Sequence, residues 1–172
     1  VLAPRCGDAT DPFDGVAKRL KARGLRLAGV RQINEPCENA NRCHMKLEDL
    51  SDGSVILISE DRGPEARGCR LDRGALTEAS ERVAAAIRRG VDLVIVNKFG
   101  KAESEGGGMR DVIALAAGSG TPVLICANDE HHPNLMGFAG DLAVALPLSE
   151  PDIEHWLDAV LTAAAKPCLV EA

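Results

Sequence analysis
Asn97 and Lys98 follow the apolar run Val91-Asp-Leu-Val-Ile-Val96, with Lys101 and the triplet Gly106-Gly107-Gly108 close behind, ahead of a helix-like segment. At the end of such a strand, nucleotide-hydrolysing proteins set acids that hold magnesium and orient water. Here an amide and an ammonium stand instead, so negative charge is replaced by positive. The exposed N–H groups of a glycine-led helix start, together with the helix dipole, favour an anion. The expected ligand is therefore a small oxyanion or phosphorylated molecule. It would be held by Asn97, Lys98, Lys101, Gly106, Gly107 and Gly108 without a bridging metal. The plainer reading makes Lys98 a solvated side chain, Glu103 and Glu105 surface acids, and the glycines a flexible turn.

A second group of candidates lies in the first loop, Arg5-Cys6-Gly7-Asp8-Ala-Thr-Asp11. A phosphate-cradling loop needs glycines that aim N–H groups inward, then Lys and Ser or Thr. This loop has one glycine, no lysine and two acids, so the motif is absent, yet its place in the chain puts Cys6, Gly7 and Asp8 among the expected ligand contacts. Arg62, Arg67, Arg70 and Arg73 could clamp an oxyanion, since guanidinium forks match phosphate-like geometry. Of that segment Arg62, Arg70 and Cys69 are the expected contacts, against a plainer reading in which Asp61, Glu65 and Asp72 pair the arginines at the surface.

Thiolate and imidazole suit zinc or copper, and Cys43, His44 and Cys69 form the candidate set for such a metal. Neither a CxxC pair nor an HExxH pattern occurs. Cys126, ending an apolar strand, reads as a small buried hydrophobe, and His131-His132 before Pro133 reads equally as soft ligands or as a loop tip. No pair of residues in the sequence identifies a catalytic dyad.

The elements that must position these residues alternate between helix and strand. Asp11-Pro12 reads as a helix start, with Phe13, Val16, Ala17 and Leu20 on one face until Gly24. A strand follows over 25–30, then an aperiodic loop to His44 and a β-hairpin over 45–59 around Ser51-Asp52-Gly53. Leu76, Ala79, Val83 and Ala86 mark a helix over 75–89. The runs 91–96 and 121–127 read as strands buried on both faces, joined through a helix over 109–118 in a right-handed βαβ unit. A shorter strand is expected over 141–146. Ser149 and Asp152 suggest a capping box before a last helix, with Trp156 in the core. Residues 1–4 read as part of a first strand. The expectation is a single α/β domain over 1–172: a three-layer, mostly parallel sheet with the hairpin at one edge.

Composition narrows the function classes. In 172 residues, 20 Lys and Arg against 26 Asp and Glu give a net charge of −6, and aromatics make up 2%. That balance offers neither an electrostatic footprint nor stacking platforms for nucleic acid. No apolar run approaches the roughly 20 residues of a spanning helix, and the first residues lack a signal-peptide pattern. A cytoplasmic protein with no membrane partner is expected, its six cysteines fitting free thiols better than a disulfide framework. Its expected partner is a small-molecule anion, and a homo-oligomer is admitted.

The segments DRGPEARGCRLDRGALTEA, DLVIVNKFGKAESEGGGMRDVIALA, GTPVLI and IEHWL resemble bacterial domain-of-unknown-function family 2478. Its members are often encoded beside molybdate-transport genes, and the likeness spans most of the chain. That family is similar to small P-loop nucleoside-triphosphatases, in which Asp-Glu follows the strand equivalent to 91–96 and the first loop carries Gly-Lys-Thr. The resemblance implies a P-loop-NTPase-like fold and a link to molybdenum metabolism. The two departures point away from hydrolysis, so the expectation is a non-hydrolytic binding protein rather than an enzyme. Molybdate or another oxyanion would be its ligand, on a degenerate P-loop-type scaffold. The alternatives are a nucleotide hydrolase or transferase with atypical phosphate contacts, and a thiol-metal carrier.

Overall fold
The computed structural model describes residues 13–33, 44–60, 71–146 and 149–164. The stretches 1–12, 34–43 and 61–70 fall outside it. With them go the expected first strand, the Asp11-Pro12 cap, Cys6, Gly7, Asp8, Cys43, Arg62, Cys69 and Arg70.

Five strands form one mixed sheet: β1 (Leu27–Ile33), β2 (Lys46–Asp49), β3 (Val55–Leu57), β4 (Leu93–Phe99) and β5 (Val123–Ala127), in the order β3-β2-β1-β4-β5. β4 runs parallel to both β1 and β5, whereas β2 and β3 form the expected antiparallel hairpin at one edge. The long apolar runs go to the strands with helices on both faces, as parallel pairing requires.

One face of the sheet is covered by α2 (Arg73–Arg88), α4 (Arg110–Gly118) and α5 (His132–Ala139). Leu76, Ala79, Val83, Val112, Ile113, Ala116 and Leu135 there meet Ala28, Val30, Val94, Val96 and Ile125. The other face is covered by α1 (Asp14–Ala22) and α6 (Glu150–Ala164), whose Phe13, Val16, Leu20, Ile153 and Leu157 pack on Leu27, Leu93, Ile95 and Leu124. Even and odd residues of β4 thus serve different cores, as the pleat dictates. The three layers are those expected. Gly29 lets β1 and β4 approach closely: a Cβ there would lie 1.9 Å from the carbonyl oxygen of Ile95.

Several expectations are corrected. Residues 141–146 form no strand. Gly140–Leu142 is a 3-10 turn and the next four residues have no regular structure. Apolar alternation alone does not make a strand when no neighbour supplies the ladder, and Leu142 and Val144 stay exposed. His131-His132 is no loop tip: it opens α5, with Pro133 in the first turn, where a missing N–H costs nothing. Trp156 is half-buried on the second core rather than within it.

Candidate functional site
The carboxyl end of β4 departs from the sequence reading in a useful way. The strand does not stop at Val96 but continues through Phe99. Register with β5 runs Val96↔Ile125 and then Phe99↔Ala127, so three steps on β4 face two on β5. This extra residue is a β-bulge, which re-aims side chains where pairing ends. Val96 and Phe99 consequently both reach the α2 and α4 core, although an unbroken pleat would put them on opposite faces. Asn97 turns toward β5, its Oδ1 accepting from the buried Cys126 thiol at 3.7 Å. Lys98 takes φ +152°, a sparsely populated conformation for a side-chain-bearing residue that surrounding structure must hold.

Beyond the bulge, one carboxylate organises the turn. Glu103, 6% exposed in the four-residue helix α3 (Lys101–Ser104), accepts from the Gly100 N–H through Oε2 at 2.9 Å. Its Oε1 accepts from the Met109 N–H at 3.0 Å, one residue before α4 begins. Glu103 is therefore no surface acid, in contrast to Glu105, which is exposed beside Lys101 and Arg73. Gly108, at φ +60°, leaves room for it: a Cβ there would lie 2.1 Å from Oε1. The Gly106 and Gly107 N–H groups donate to the carbonyls of Glu103 and Ala102. The triplet is thus an ordered turn whose first two N–H groups are already bonded, rather than a cradle of free donors. α5 fastens it from outside. Ser104 Oγ lies 3.3 Å from His131 Nδ1, and Arg110 donates to the Glu103 carbonyl at 3.2 Å while stacking 4.2 Å over Phe138.

Between this turn, β1, the hairpin and the start of α2 lies a cavity of about 250 Å³. Val30, Leu47, Ile58, Leu76, Val96 and Met109 form apolar walls, and Gln32, Asn97, Lys98, Lys101 and Glu103 supply the polar groups. Gln32 lies two residues past Val30 on β1 and Lys98 two past Val96 on β4, so the polar groups gather toward the strands' carboxyl ends. An open α/β sheet binds ligands there. Leu71, Lys101 and Ala102 also border an adjoining cavity of about 460 Å³. Glu60, Arg73 and Glu105 face that second space. Arg73, the last of the expected arginines, is paired with Glu105 at 3.2 Å. A larger cavity of about 490 Å³, among Lys21, Arg26, Asp52 and Arg89, opens at the opposite, amino ends of β1 and β4 and contains none of the expected contacts.

Of the expected residues the structure thus brings Asn97, Lys98 and Lys101 to one cavity. Gly106, Gly107 and Gly108 sit behind it in the Glu103-centred turn. His44 is exposed beside β2, and no group of three His, Cys, Asp or Glu side chains able to hold a metal occurs among the described residues. Cys126 is fully buried, as its strand position predicted. Sequence reading missed Glu103. The signal was its spacing: three residues after Gly100, where a helix's third residue reaches back to the N–H that precedes it.

The family described as "Protein of unknown function (DUF2478)" matches residues 1–156, and the chain belongs to it. The chain is also similar to the Molybdenum import ATP-binding protein ModC 2 of Bradyrhizobium diazoefficiens, at 35% identity over 140 residues. That match covers 81% of this chain and 16% of the relative, so the chain corresponds to a small part of that longer protein. No solved structure matches. Among the described residues no helix is long and apolar enough to cross a membrane.

Proposed function
We propose that this member of the DUF2478 family is a non-hydrolytic binding module on a degenerate P-loop-type scaffold. Its ligand is an oxyanion of the molybdate kind or a phosphorylated small molecule, and its setting is cytoplasmic molybdenum metabolism. The observation that carries the reading is the bulge at the end of β4, which presents Asn97 and Lys98 beside a cavity that also receives Lys101. An amide N–H and two ammonium groups attract an anion without a metal, and charge-assisted hydrogen bonds are the stronger kind. The absence of a G-x-x-x-x-G-K-[ST] segment anywhere in the chain supports binding over hydrolysis. The relative's name joins molybdenum import to ATP binding, which supports a place in such a system.

Calorimetric titration with molybdate, tungstate, phosphate and ATP, with and without magnesium, tests the proposal. Saturable oxyanion binding that weakens about ten-fold or more in Lys98→Ala is the expected result. Unaltered affinity in that variant, or no binding of any oxyanion, would refute it. The word ATP in the relative's name favours a second reading, nucleotide turnover with atypical contacts. Magnesium-dependent phosphate release that is lost in Lys98→Ala would establish that instead.

A further inference from the structure
The cavity beside Lys98 is large and greasy for a bare tetrahedral oxyanion, and from this we infer that its ligand is an organic anion: an apolar body carrying one phosphate-like or carboxylate head. The inference rests on the anion-site reading and specifies the rest of the molecule. Space is the first reason. About 250 Å³ holds roughly eight waters at about 30 Å³ each and approaches the lower end of small-ligand sites, roughly 300–1,000 Å³. An inorganic oxyanion bonded to Lys98 would leave most of that volume and the walls formed by Val30, Ile58, Leu76 and Met109 facing water.

Polarity is the second reason. The donors are not spread around the cavity but gather at the carboxyl ends of β1 and β4 and in α3, whereas the remainder is made by core-facing residues. Such a division suits a ligand with one charged end, because apolar surface gains by leaving water and a charge does not. Glu103 is the one acid in the lining among the described residues, and its two oxygens already accept the Gly100 and Met109 N–H groups.

The probe is 1-naphthyl phosphate, titrated into the wild-type chain beside inorganic phosphate, molybdate and naphthalene-free buffer. Burying about 60 Å² of ring corresponds to roughly ten-fold in affinity, so naphthyl phosphate should bind at least that much more tightly than phosphate and should displace molybdate. Ala102→Leu, which intrudes on the cavity, should weaken naphthyl phosphate about ten-fold more than it weakens phosphate, with circular dichroism verifying the fold. Equal affinity for phosphate and naphthyl phosphate overturns this inference and leaves the anion site intact. Failure of all three anions to bind removes the site itself.

Discussion
The Glu103 carboxylate lies 3.0 Å from the Met109 N–H, at the point where α4 begins and where an external anion was expected. The protein supplies its own negative group to that helix end, and this leaves Asn97, Lys98 and Lys101 as the expected contacts that border the cavity. A buried N–H left without a partner costs more than a typical hydrogen bond contributes.

Glu103→Ala should accordingly lower stability by about 1–3 kcal/mol, since it orphans the Gly100 and Met109 N–H groups together. Glu103→Gln keeps one side-chain oxygen as acceptor and should cost about half as much. Urea unfolding of both variants checks the order; equal midpoints for wild type and Glu103→Ala would mean that the bonds contribute nothing.

Two glycine variants should differ in kind from neutral surface changes. Gly108→Ala places a methyl 2.1 Å from the Glu103 oxygen, and Gly29→Ala places one 1.9 Å from the Ile95 carbonyl. The Glu103 side chain can retreat, so about 2 kcal/mol is expected for Gly108→Ala. A strand backbone cannot, and about 4 kcal/mol or failure to fold is expected for Gly29→Ala. Soluble yield and thermal midpoint together reveal the ranking, and the reverse ranking would contradict it.

Lys98→Gly separates conformation from charge. Glycine accepts φ +152° without strain but loses more freedom on folding, and these effects largely cancel. Stability should stay within about 1 kcal/mol of wild type while oxyanion affinity falls about ten-fold. A variant that loses stability and affinity in parallel would show that Lys98 acts through the fold alone.

One acid-side transition has an identifiable source. Arg26 holds the Asp92 carboxyl below its ordinary range, chiefly by a side-chain hydrogen bond, and the Arg26 backbone N–H donates to it at 2.7 Å. A pKa lowered on folding stabilises above the unfolded value, near 3.9, and that stability is lost as pH falls through the folded value. The thermal midpoint of wild type should therefore fall more steeply below about pH 4 than that of Asp92→Asn, followed by calorimetry across pH 5 to 2. Parallel curves would rule out the pair as a source.

Most of the architecture was legible because periodicity and burial coincide in β4, β5, α2 and α4. α5 was not, since its single fully buried side chain, Leu135, writes no stripe. The end of β4 was misread for a related reason: two polar residues in a row look like a strand's end, and an extra residue at a bulge breaks the two-residue period by which a strand is recognised. Asn97 and Lys98 were singled out by charge exchanged at an expected position and Lys101 by its nearness to the glycine triplet, and all three border one cavity. Glu103 was hidden because an acid between Lys101 and Glu105 reads as solvated, and only the fold reveals what it accepts.

The parallel pairing of β1 with β4 joins Leu27 to Leu93 and Val30 to Val96, with the hairpin and α2 between them in sequence. The β2 and β3 hairpin closes locally, on the order of 1–10 μs, but the parallel pair must wait for a long loop to close. The cavity needs both strands, so it exists only after this late step. A ligand there should slow unfolding and leave the folding rate nearly unchanged, making the site a kinetic lock on a chain that has already folded.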